Sequence, residues 1–366
     1  TVLGALSPVY GGWLRRERTG GRPLTYGHDV KVHDLPTPCL VVDATALDHN
    51  IRTMAAVRPG RRLRPHVKAF KSTGMARHVE TVGGHHSFCA ATLRELDGLV
   101  AAGVGDDLLL ANETLSADRL RALVRSTGAT VTVAVDSPET VRVAADAGAS
   151  VLVDVDVGLP RCGCPPEQAG AIADLARSLG CEVRGVMGYE GHLVGNPDRA
   201  VRAAGVEESM ALLRIAHDAV GGEIVSAGGT GTWDLHEWAS EVQAGSYLLM
   251  DTHYDRLGLP FRQAVSVEAT VLSASPSRGV AVLDAGLKSF GMDHGEPLVP
   301  GWTVFFCSDE HTTILPTDGA GPLPAVGDRL RMVPAHVDPT VAYHERMVVA
   351  DGEDVIETWP VDLRNW

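Results

Sequence analysis

The sequence predicts an α/β fold, namely a (β/α)8 TIM-type barrel followed by a C-terminal antiparallel β domain. Three observations predict this fold. The chain has 366 residues, more than one hydrophobic core usually supports. From about residue 60 to 250, apolar strand-like runs alternate with amphipathic stretches of helical period. After Asp251 the pattern changes to short alternating runs with Gly, Pro and Asp turns between them.

Eight segments of the first region are typical of buried parallel strands. They are apolar over most of their length, and helical crossovers separate them, as in a sheet that is covered on both faces. Eight such units predict a closed barrel, with an open doubly wound sheet as the alternative. The segments are residues 62–69, 85–91, 107–112, 130–136, 150–158, 183–191, 223–232 and 242–251.

The later runs predict a compact antiparallel β domain. We expect the run CLVVD at residues 39–43, which precedes the first barrel unit, to pair with this domain rather than with the barrel. The predicted division is therefore an N-terminal segment of residues 1–43 that packs with the β domain, a barrel of residues 44–255, and the β domain of residues 256–366.

Charge and composition limit the possible partners. The formal net charge of −14 argues against nucleic acid and anionic membranes. No segment has the uninterrupted apolar length of a membrane span. The N-terminus carries no basic-then-apolar signal pattern, so we expect a cytoplasmic protein. The six cysteines are scattered, mostly within apolar runs, and are expected to be free thiols.

Lys68 ends the first strand-like run, so its amine is expected in the mouth of the barrel, where barrels carry their chemistry. A lysine that forms an imine must be partly neutral. Desolvation and the nearby cations Lys71 and Arg64 are expected to favour the neutral form by lowering the pKa of Lys68. A solvated lysine at a strand end is the alternative.

A glycine-rich run, Gly228 to Thr232, follows the seventh strand-like segment. Its bare backbone N–H groups and two hydroxyls suit a phosphate, because glycines let the backbone approach an anion closely. Gly245 and Ser246 are expected to complete the cup, since barrel phosphate sites lie after the last two strands. A tight turn without a ligand is the alternative.

His336 and Asp338 have the spacing of two residues on one face of a strand, which Pro339 is expected to end. One imidazole and one carboxylate suit Mn²⁺, Mg²⁺ or Zn²⁺ with several open coordination positions. Such a pair makes a poor structural site but a useful catalytic one. A surface His–Asp pair near a turn is the alternative.

Polar residues end two further strands. Arg161 is suited to hydrogen-bond an anionic phenolate oxygen, and the run Tyr189 to His192 offers an aromatic ring, a carboxylate and an imidazole for acid–base work. Salt bridges or core hydrogen bonds explain these residues equally well. The polar run Ser308 to His311 is a candidate for lining the site from the β domain. A reactive lysine, a phosphate cradle and a metal pair together indicate a pyridoxal-phosphate enzyme with a metal helper.

These motifs, in this order over most of the chain, resemble the fold-type III pyridoxal-phosphate enzymes, whose barrel is alanine racemase-like. More narrowly, they are similar to the D-threonine aldolase/D-serine dehydratase group. The resemblance runs from Thr37-Pro38 to Trp359-Pro360. It is carried by LRPHVK, SFCAATLRELDGLVAAG, LLANE, VDVGLPRCG, GYEGH, GGTGT, VQAGSYLLMD, LDAGLK, SDEH and HVDPT.

The resemblance implies a role for each matching residue. Lys68 matches the lysine that forms the imine with pyridoxal 5′-phosphate, Arg161 the arginine near the cofactor's O3′, and Tyr189 the residue beside its pyridine ring. His336 and Asp338 match the pair that holds the divalent metal. The other implied site residues are His66 at the cofactor, His192 as a base, and Gly228, Gly229, Thr230, Gly245 and Ser246 at the phosphate.

The implied protein is a homodimer that reversibly cleaves D-β-hydroxy-α-amino acids to glycine and an aldehyde. The pattern His-x-Asp rather than His-x-Cys favours an aldolase within the group. The alternatives are a dehydratase of the D-serine or 3-hydroxy-D-aspartate type and a non-catalytic carrier of pyridoxal phosphate. Phe70, where the group usually has histidine, and Ala342, where it usually has asparagine, depart from the pattern. Each is able to reshape the pocket, which leaves the identity of the substrate open.

Overall fold

The computed structural model describes residues 30–317 and 322–365, which form a ring of parallel strands and a second, mixed sheet. Residues 1–29, most of the predicted N-terminal segment, lie outside the described residues. Strand β1 (Cys39–Asp43) and helix α1 (Ala44–Val57) open the described chain and lead into the parallel strands.

Seven parallel strands pair in chain order to form most of the barrel. The strands are β2 (Ser87–Ala90), β3 (Asp107–Leu110), β4 (Thr130–Val135), β5 (Ser150–Asp154), β6 (Val183–Gly188), β7 (Ile224–Ala227) and β8 (Glu241–Val242). The helices around them are α2 (Thr73–Gly83), α3 (Leu93–Ala102), α4 (Ala117–Ser126), α5 (Pro138–Ala147), α6 (Ala169–Ser178) and α7 (Arg199–Val220).

Local sequence signals set the ends of these helices. Helix α3 begins after Thr92, whose hydroxyl accepts a hydrogen bond from the N–H of Glu95, and Glu95 reaches back to the N–H of Thr92. The helix ends at Gly103, whose φ of +63° is the left-handed conformation that glycine adopts without strain. Such caps turn the chain sharply between helix and strand.

Residues 63–66 close the barrel between its first and last strands. Leu63 pairs with Val242 on β8, and His66 pairs with Cys89 on β2. This first position is a pair of isolated bridges rather than the full strand predicted for residues 62–69. Pro65 has no N–H to donate to β2, which limits the hydrogen bonding of this segment on that side. The predicted closed barrel is nevertheless confirmed.

The second sheet contains β1 and all the strands that follow the barrel. Strand β1 pairs in parallel with β14 and antiparallel with β9, so residues 39–43 belong to this sheet. A short helix, α8 (Thr252–Asp255), precedes the sheet strands. The strands are β9 (Val265–Ser275), β10 (Val280–Leu283), β11 (Trp302–Cys307), β12 (Thr312–Pro316), β13 (Arg329–Met332), β14 (Arg346–Asp351) and β15 (Asp354–Pro360). Their order is β11-β12-β10-β9-β1-β14-β15, with β13 also paired to β9.

The His336-x-Asp338 motif lies at the start of a helix, so the predicted strand at this point is wrong. His336 is the N-cap of helix α9 (Val337–Tyr343), and Asp338 lies in its first turn. Pro339 continues the helix instead of ending a strand, because a residue in the first turn has no intrahelical acceptor for its N–H. The N–H of Val337 donates to the buried carboxylate of Asp251, which ties the helix to the end of the barrel.

The structure also bears on the expected free thiols and on the expected lack of a membrane span. All six cysteines are free: Cys89, Cys164 and Cys181 are buried, and Cys39, Cys162 and Cys307 are partly buried. Among residues 30–317 and 322–365, no helix has the length and apolar character needed to cross a membrane.

Candidate active site

A cavity of about 830 Å³ lies at the C-terminal ends of the barrel strands. Its walls come from the barrel, from the loop after β10 and from the start of helix α9. Of the twelve site residues predicted from the sequence, this cavity is lined by all except Gly228. The eleven are His66, Lys68, Arg161, Tyr189, His192, Gly229, Thr230, Gly245, Ser246, His336 and Asp338.

Lys68 lies in a single helical turn, Val67–Ala69, directly after the bridge between His66 and β2. Its amine is 4.0 Å from a carboxylate oxygen of Asp338. Burial lowers the pKa of Lys68, but Asp338 and Tyr189 raise it, and the resulting pKa lies above the ordinary lysine value. The amine is therefore held charged, facing the metal motif.

The predicted effect of Lys71 and Arg64 on Lys68 is wrong. Lys71 is ion-paired with Glu95. Arg64 is buried and pairs with Asp107 and Glu241 at the opposite end of the barrel strands. Both cations are therefore paired with their own carboxylates, whereas Lys68 itself lies close to the carboxylate of Asp338.

Aromatic and cationic groups surround the amine. The ring of Tyr189 lies 5.8 Å from the nitrogen of Lys68 and 5.5 Å from the guanidinium carbon of Arg161. His66 accepts a hydrogen bond of 3.4 Å from the backbone N–H of Lys68. Burial and the charges of Lys68 and its neighbours hold the pKa of His66 well below its ordinary value, so this imidazole is neutral.

Unpaired backbone N–H groups lie where the sequence predicts a phosphate cradle. Within the described residues, the N–H groups of Thr230, Gly245 and Ser246 have no protein acceptor, and all three residues line the cavity. A side chain at Gly245 would lie 2.4 Å from the carbonyl oxygen of His66, so only glycine lets these two segments approach. The prediction for Gly228 is wrong in one respect, because its N–H donates to Glu190 rather than remaining free.

Glu190 hydrogen-bonds to the turn that carries the predicted phosphate cradle. It does not line the cavity, although its position in the run Tyr189 to His192 suggested that it would. It is fully buried. It accepts hydrogen bonds from the hydroxyl of Thr232 at 2.6 Å and the N–H of Gly228 at 3.3 Å, and its carboxylate lies 2.8 Å from His236 Nε2. Burial raises the pKa of Glu190, but His236 and Thr232 bring it below the ordinary value, so the carboxylate is ionised.

The two residues of the predicted metal pair face different neighbours. Asp338 accepts a hydrogen bond of 3.2 Å from the hydroxyl of Ser246 and also faces Lys68. His336 lies 2.7 Å, Nδ1 to Oδ2, from Asp293. The ring of His336 stacks on His294, with centroids 3.9 Å apart. The assignment of His336 and Asp338 as a metal pair stays a prediction.

The sequence analysis missed His253, Tyr254 and His294, all of which line the cavity. Burial, with the neighbouring His294 and Arg256, lowers the pKa of His253 to about 4, so this ring is neutral near pH 7. These residues lie in the short runs DTHYD and MDHGEP. An isolated histidine in a polar run carries no signal of its own, and only the fold brings the rings together.

Three other residues or runs singled out in the sequence do not line this cavity. Ser308 to His311 form a polar turn between β11 and β12. Phe70 is fully buried, and Ala342 lies in helix α9. The two departures from the group's pattern therefore do not change the wall of the cavity directly.

The donor groups fit both implied cofactors. A lysine amine, a tyrosine ring, a guanidinium and unpaired backbone N–H groups face one cavity, and these suit an aromatic aldehyde with a phosphate. The imidazoles of His294 and His336, which line the same cavity, and the neighbouring carboxylate of Asp293 suit a divalent cation.

Comparisons with known proteins identify the family of this chain. The family described as alanine racemase, N-terminal domain, matches residues 42–269, and the family described as putative serine dehydratase domain matches residues 264–350. A 3-hydroxy-D-aspartate aldolase of Paracoccus denitrificans is 32% identical, over 90% of this chain and 92% of that protein. A D-threo-3-hydroxyaspartate dehydratase of Delftia sp. is 27% identical, over 91% of this chain and 98% of that protein.

A solved structure shows the same architecture. The D-threonine aldolase from Filomicrobium marinum superposes with a TM-score of 0.85 and 31% identity, covering 93% of this chain and 98% of that one. The chain therefore belongs to the alanine racemase-like family of pyridoxal-phosphate enzymes, in the group of D-threonine aldolases and related dehydratases.

Proposed function

We propose that this enzyme is a lyase that reversibly cleaves D-β-hydroxy-α-amino acids to glycine and an aldehyde, using pyridoxal phosphate and a divalent metal. One observation carries the proposal. A single cavity is lined by Lys68, by the unpaired N–H groups of the phosphate cradle, and by His336 and Asp338. The 32% identity to an aldolase over 90% of the chain supports it.

Each part of the cavity is assigned one task. Lys68 would hold the cofactor covalently, and Arg161 would bind its phenolate oxygen beside the ring of Tyr189. The N–H groups of Thr230, Gly245 and Ser246 would bind its phosphate. His66, neutral and buried, adds no competing charge beside the cofactor.

The chemistry needs an electron sink and an activated hydroxyl. Pyridoxal phosphate supplies the sink for the electron pair that is released when the Cα–Cβ bond breaks. A divalent ion supplies a Lewis acid that lowers the pKa of the β-hydroxyl. His192 lines the cavity and is the proposed acceptor of the hydroxyl proton. Asp338 holds the amine of Lys68 on the side of the cavity where His336 lies.

The first experiment supplies purified enzyme, pyridoxal phosphate and Mn²⁺ with D-threonine, D-phenylserine and D-serine in parallel. We expect glycine and an aldehyde from the first two substrates. The Lys68→Ala variant should lose this activity and the absorbance of the covalently bound cofactor, because no other amine of the described residues lines the cavity. Lys288→Ala is the matched control, since Lys288 is exposed and pairs with Glu310 on the surface. Full activity in Lys68→Ala would contradict the proposal.

A dehydratase is the second candidate, and the similarity to the Delftia enzyme over 91% of the chain favours it specifically. The same cavity would serve, with loss of the Cα proton and of the hydroxyl group. The parallel assay separates the two reactions, because a dehydratase yields a 2-oxo acid and ammonia. A non-catalytic carrier would release neither pair of products and would be indifferent to a chelator.

Three finer features belong to this proposal. We propose a cytoplasmic homodimer that uses Mn²⁺. Phe305 and Phe306 on the outer strand β11 are 67% and 54% exposed, which supports contact with a second copy. Light scattering of the purified protein tests the dimer, and metal analysis of the protein purified from its native cells tests the ion.

A further inference from the structure

Three side chains that could share one ion converge beside the cavity, and two of them, His294 and His336, line it. Asp293 and His294 lie in the loop between β10 and β11, and His336 is the N-cap of helix α9. One ligand atom from each of the three lies within 4.8 Å of the other two. Asp293 and His336 are 43 residues apart in the chain, so the tertiary fold alone creates this cluster.

The separations suit shared coordination. Oδ2 of Asp293 lies 2.7 Å from Nδ1 of His336 and 3.8 Å from Nε2 of His294. Two donors that bind one ion at about 2.1 Å and at a right angle lie about 3 Å apart. Small side-chain rotations therefore bring all three donors onto one ion.

The two imidazoles are already arranged side by side. The rings of His294 and His336 are nearly parallel, at 11°, and both line the cavity. The ring of His253 also packs against His294, tilted by 31°, with 4.2 Å between the centroids. Asp338 is oriented differently, toward Ser246 and Lys68.

We propose that Asp293 and His294 bind the divalent cation together with His336, so that the ion has two imidazole ligands. The metal site then has more protein ligands than the His336–Asp338 pair that the sequence motif predicts, and the additional ligands come from the loop between β10 and β11. The ion would lie where His294 and His336 line the cavity, and coordination positions would remain for the hydroxyl of a substrate. This inference rests on the proposed function only for its assumption that the enzyme uses a metal.

The test measures Mn²⁺ binding rather than turnover. Cofactor-loaded enzyme is treated with a chelator, dialysed and titrated with Mn²⁺, and the free ion is followed by its electron paramagnetic resonance signal. We expect His294→Gln and Asp293→Ala each to weaken binding by about tenfold or more. Both residues lie in an exposed loop, so these substitutions leave the fold intact.

Matched controls come from the same part of the protein. Glu296→Gln removes an exposed carboxylate from the same loop, and His311→Ala removes an exposed imidazole from the same sheet. Both should bind Mn²⁺ as the unsubstituted enzyme does. Pulsed resonance of bound Mn²⁺ then counts the coordinated nitrogens, with two imidazoles expected in the unsubstituted enzyme and one in His294→Gln.

A single imidazole in the unsubstituted enzyme, with unchanged affinity in His294→Gln, would overturn the inference. Asp293 would then act only as the hydrogen-bond acceptor that orients His336. Failure of the proposed function gives a different result. In that case D-threonine is not cleaved, yet Mn²⁺ is still bound through two imidazoles.

Discussion

At the scale of single residues, the groups behind the cavity determine what the groups facing it can do. Glu190 shows this clearly. In the sequence it is one polar residue in a run of possible acid–base groups, but in the structure it never reaches the cavity. Its ionised carboxylate accepts from Gly228 and Thr232 and pairs with His236, and the neighbouring N–H groups that remain unpaired are the proposed phosphate donors.

Glu190→Gln is expected to weaken binding of pyridoxal phosphate without removing any group that touches it. The substitution replaces a charged acceptor by an amide whose NH2 faces donors, at a cost of about 1.5–3 kcal/mol. That cost corresponds to roughly a tenfold to hundredfold higher dissociation constant for the cofactor. Cofactor titration by absorbance measures it. Glu182→Gln, an exposed carboxylate that accepts from Ser150, is the control and should bind the cofactor normally.

At the scale of elements, the loops at the C-terminal ends of the strands assemble the site through close backbone contacts. The turn after β7 packs directly on the segment after β6. A side chain at Gly231 would meet the carbonyl oxygen of Val194 at 1.8 Å, with the carbonyl carbon at 2.7 Å. Backbone cannot move aside as a flexible side chain does, so this contact fixes the position of the turn that carries Thr230.

Gly231→Ala is therefore expected to displace the turn. The variant should be less stable by about 1–3 kcal/mol and should bind pyridoxal phosphate more weakly. Thermal unfolding and cofactor titration measure the two effects. Gly128→Ala is the control, because a side chain at Gly128 meets nothing within 4 Å and should change stability by less than about 0.5 kcal/mol. Equal stability and equal cofactor affinity in the two variants would contradict this expectation, because they would mean that the turn can shift without effect.

At the scale of the whole molecule, a buried ionic network holds the barrel closed at the end opposite the cavity. Asp107 on β3 pairs with Arg64 of the closing segment and with Arg184 on β6, and Arg64 also pairs with Glu241 on β8. Burial raises the pKa of Asp107, but hydrogen bonds and charge from Arg184 and Arg64 bring it well below the ordinary value. The network links four positions around the ring.

Asp107→Asn is expected to destabilise the enzyme by about 3–5 kcal/mol at pH 7, because it removes a buried carboxylate that pairs with both Arg64 and Arg184. The pKa of Asp107 is lower in the folded state, so its stabilising effect is complete above the unfolded pKa, about 3.9, and is lost as the pH falls below it. The difference between the two proteins should thus be smaller at pH 3.5 than at pH 7. Urea unfolding at both pH values measures this difference.

Asp106→Asn is the neighbouring control. Asp106 is exposed and pairs only with the exposed Arg61, so its replacement should cost less than about 1 kcal/mol at either pH. A similar loss of unfolding free energy in Asp106→Asn and Asp107→Asn would contradict the role assigned to the buried network.

Much of the molecule followed from patterns in the sequence, and the exceptions have specific causes. Apolar runs and helical crossovers predicted the parallel ring, and CLVVD pairs with the second sheet as expected. The strand at residues 62–69 was reduced to two bridges, and Pro65 within it has no N–H to donate to β2. The helix at His336 was missed, because seven residues are too few to display a helical period.

The sequence by itself determined the barrel, the family, and the residues of the cavity that lie in contiguous motifs, such as Lys68 and Gly229-Thr230. Only the tertiary structure revealed that Glu190 faces away from the cavity, that Lys68 faces Asp338, and that Asp293 and His294 join His336. The physical reason is that sequence patterns describe only residues that are close together along the chain. Periodicity and motif spacing report on neighbours along the chain, whereas burial, charge pairing and ligand clusters depend on segments that meet only after the chain has folded.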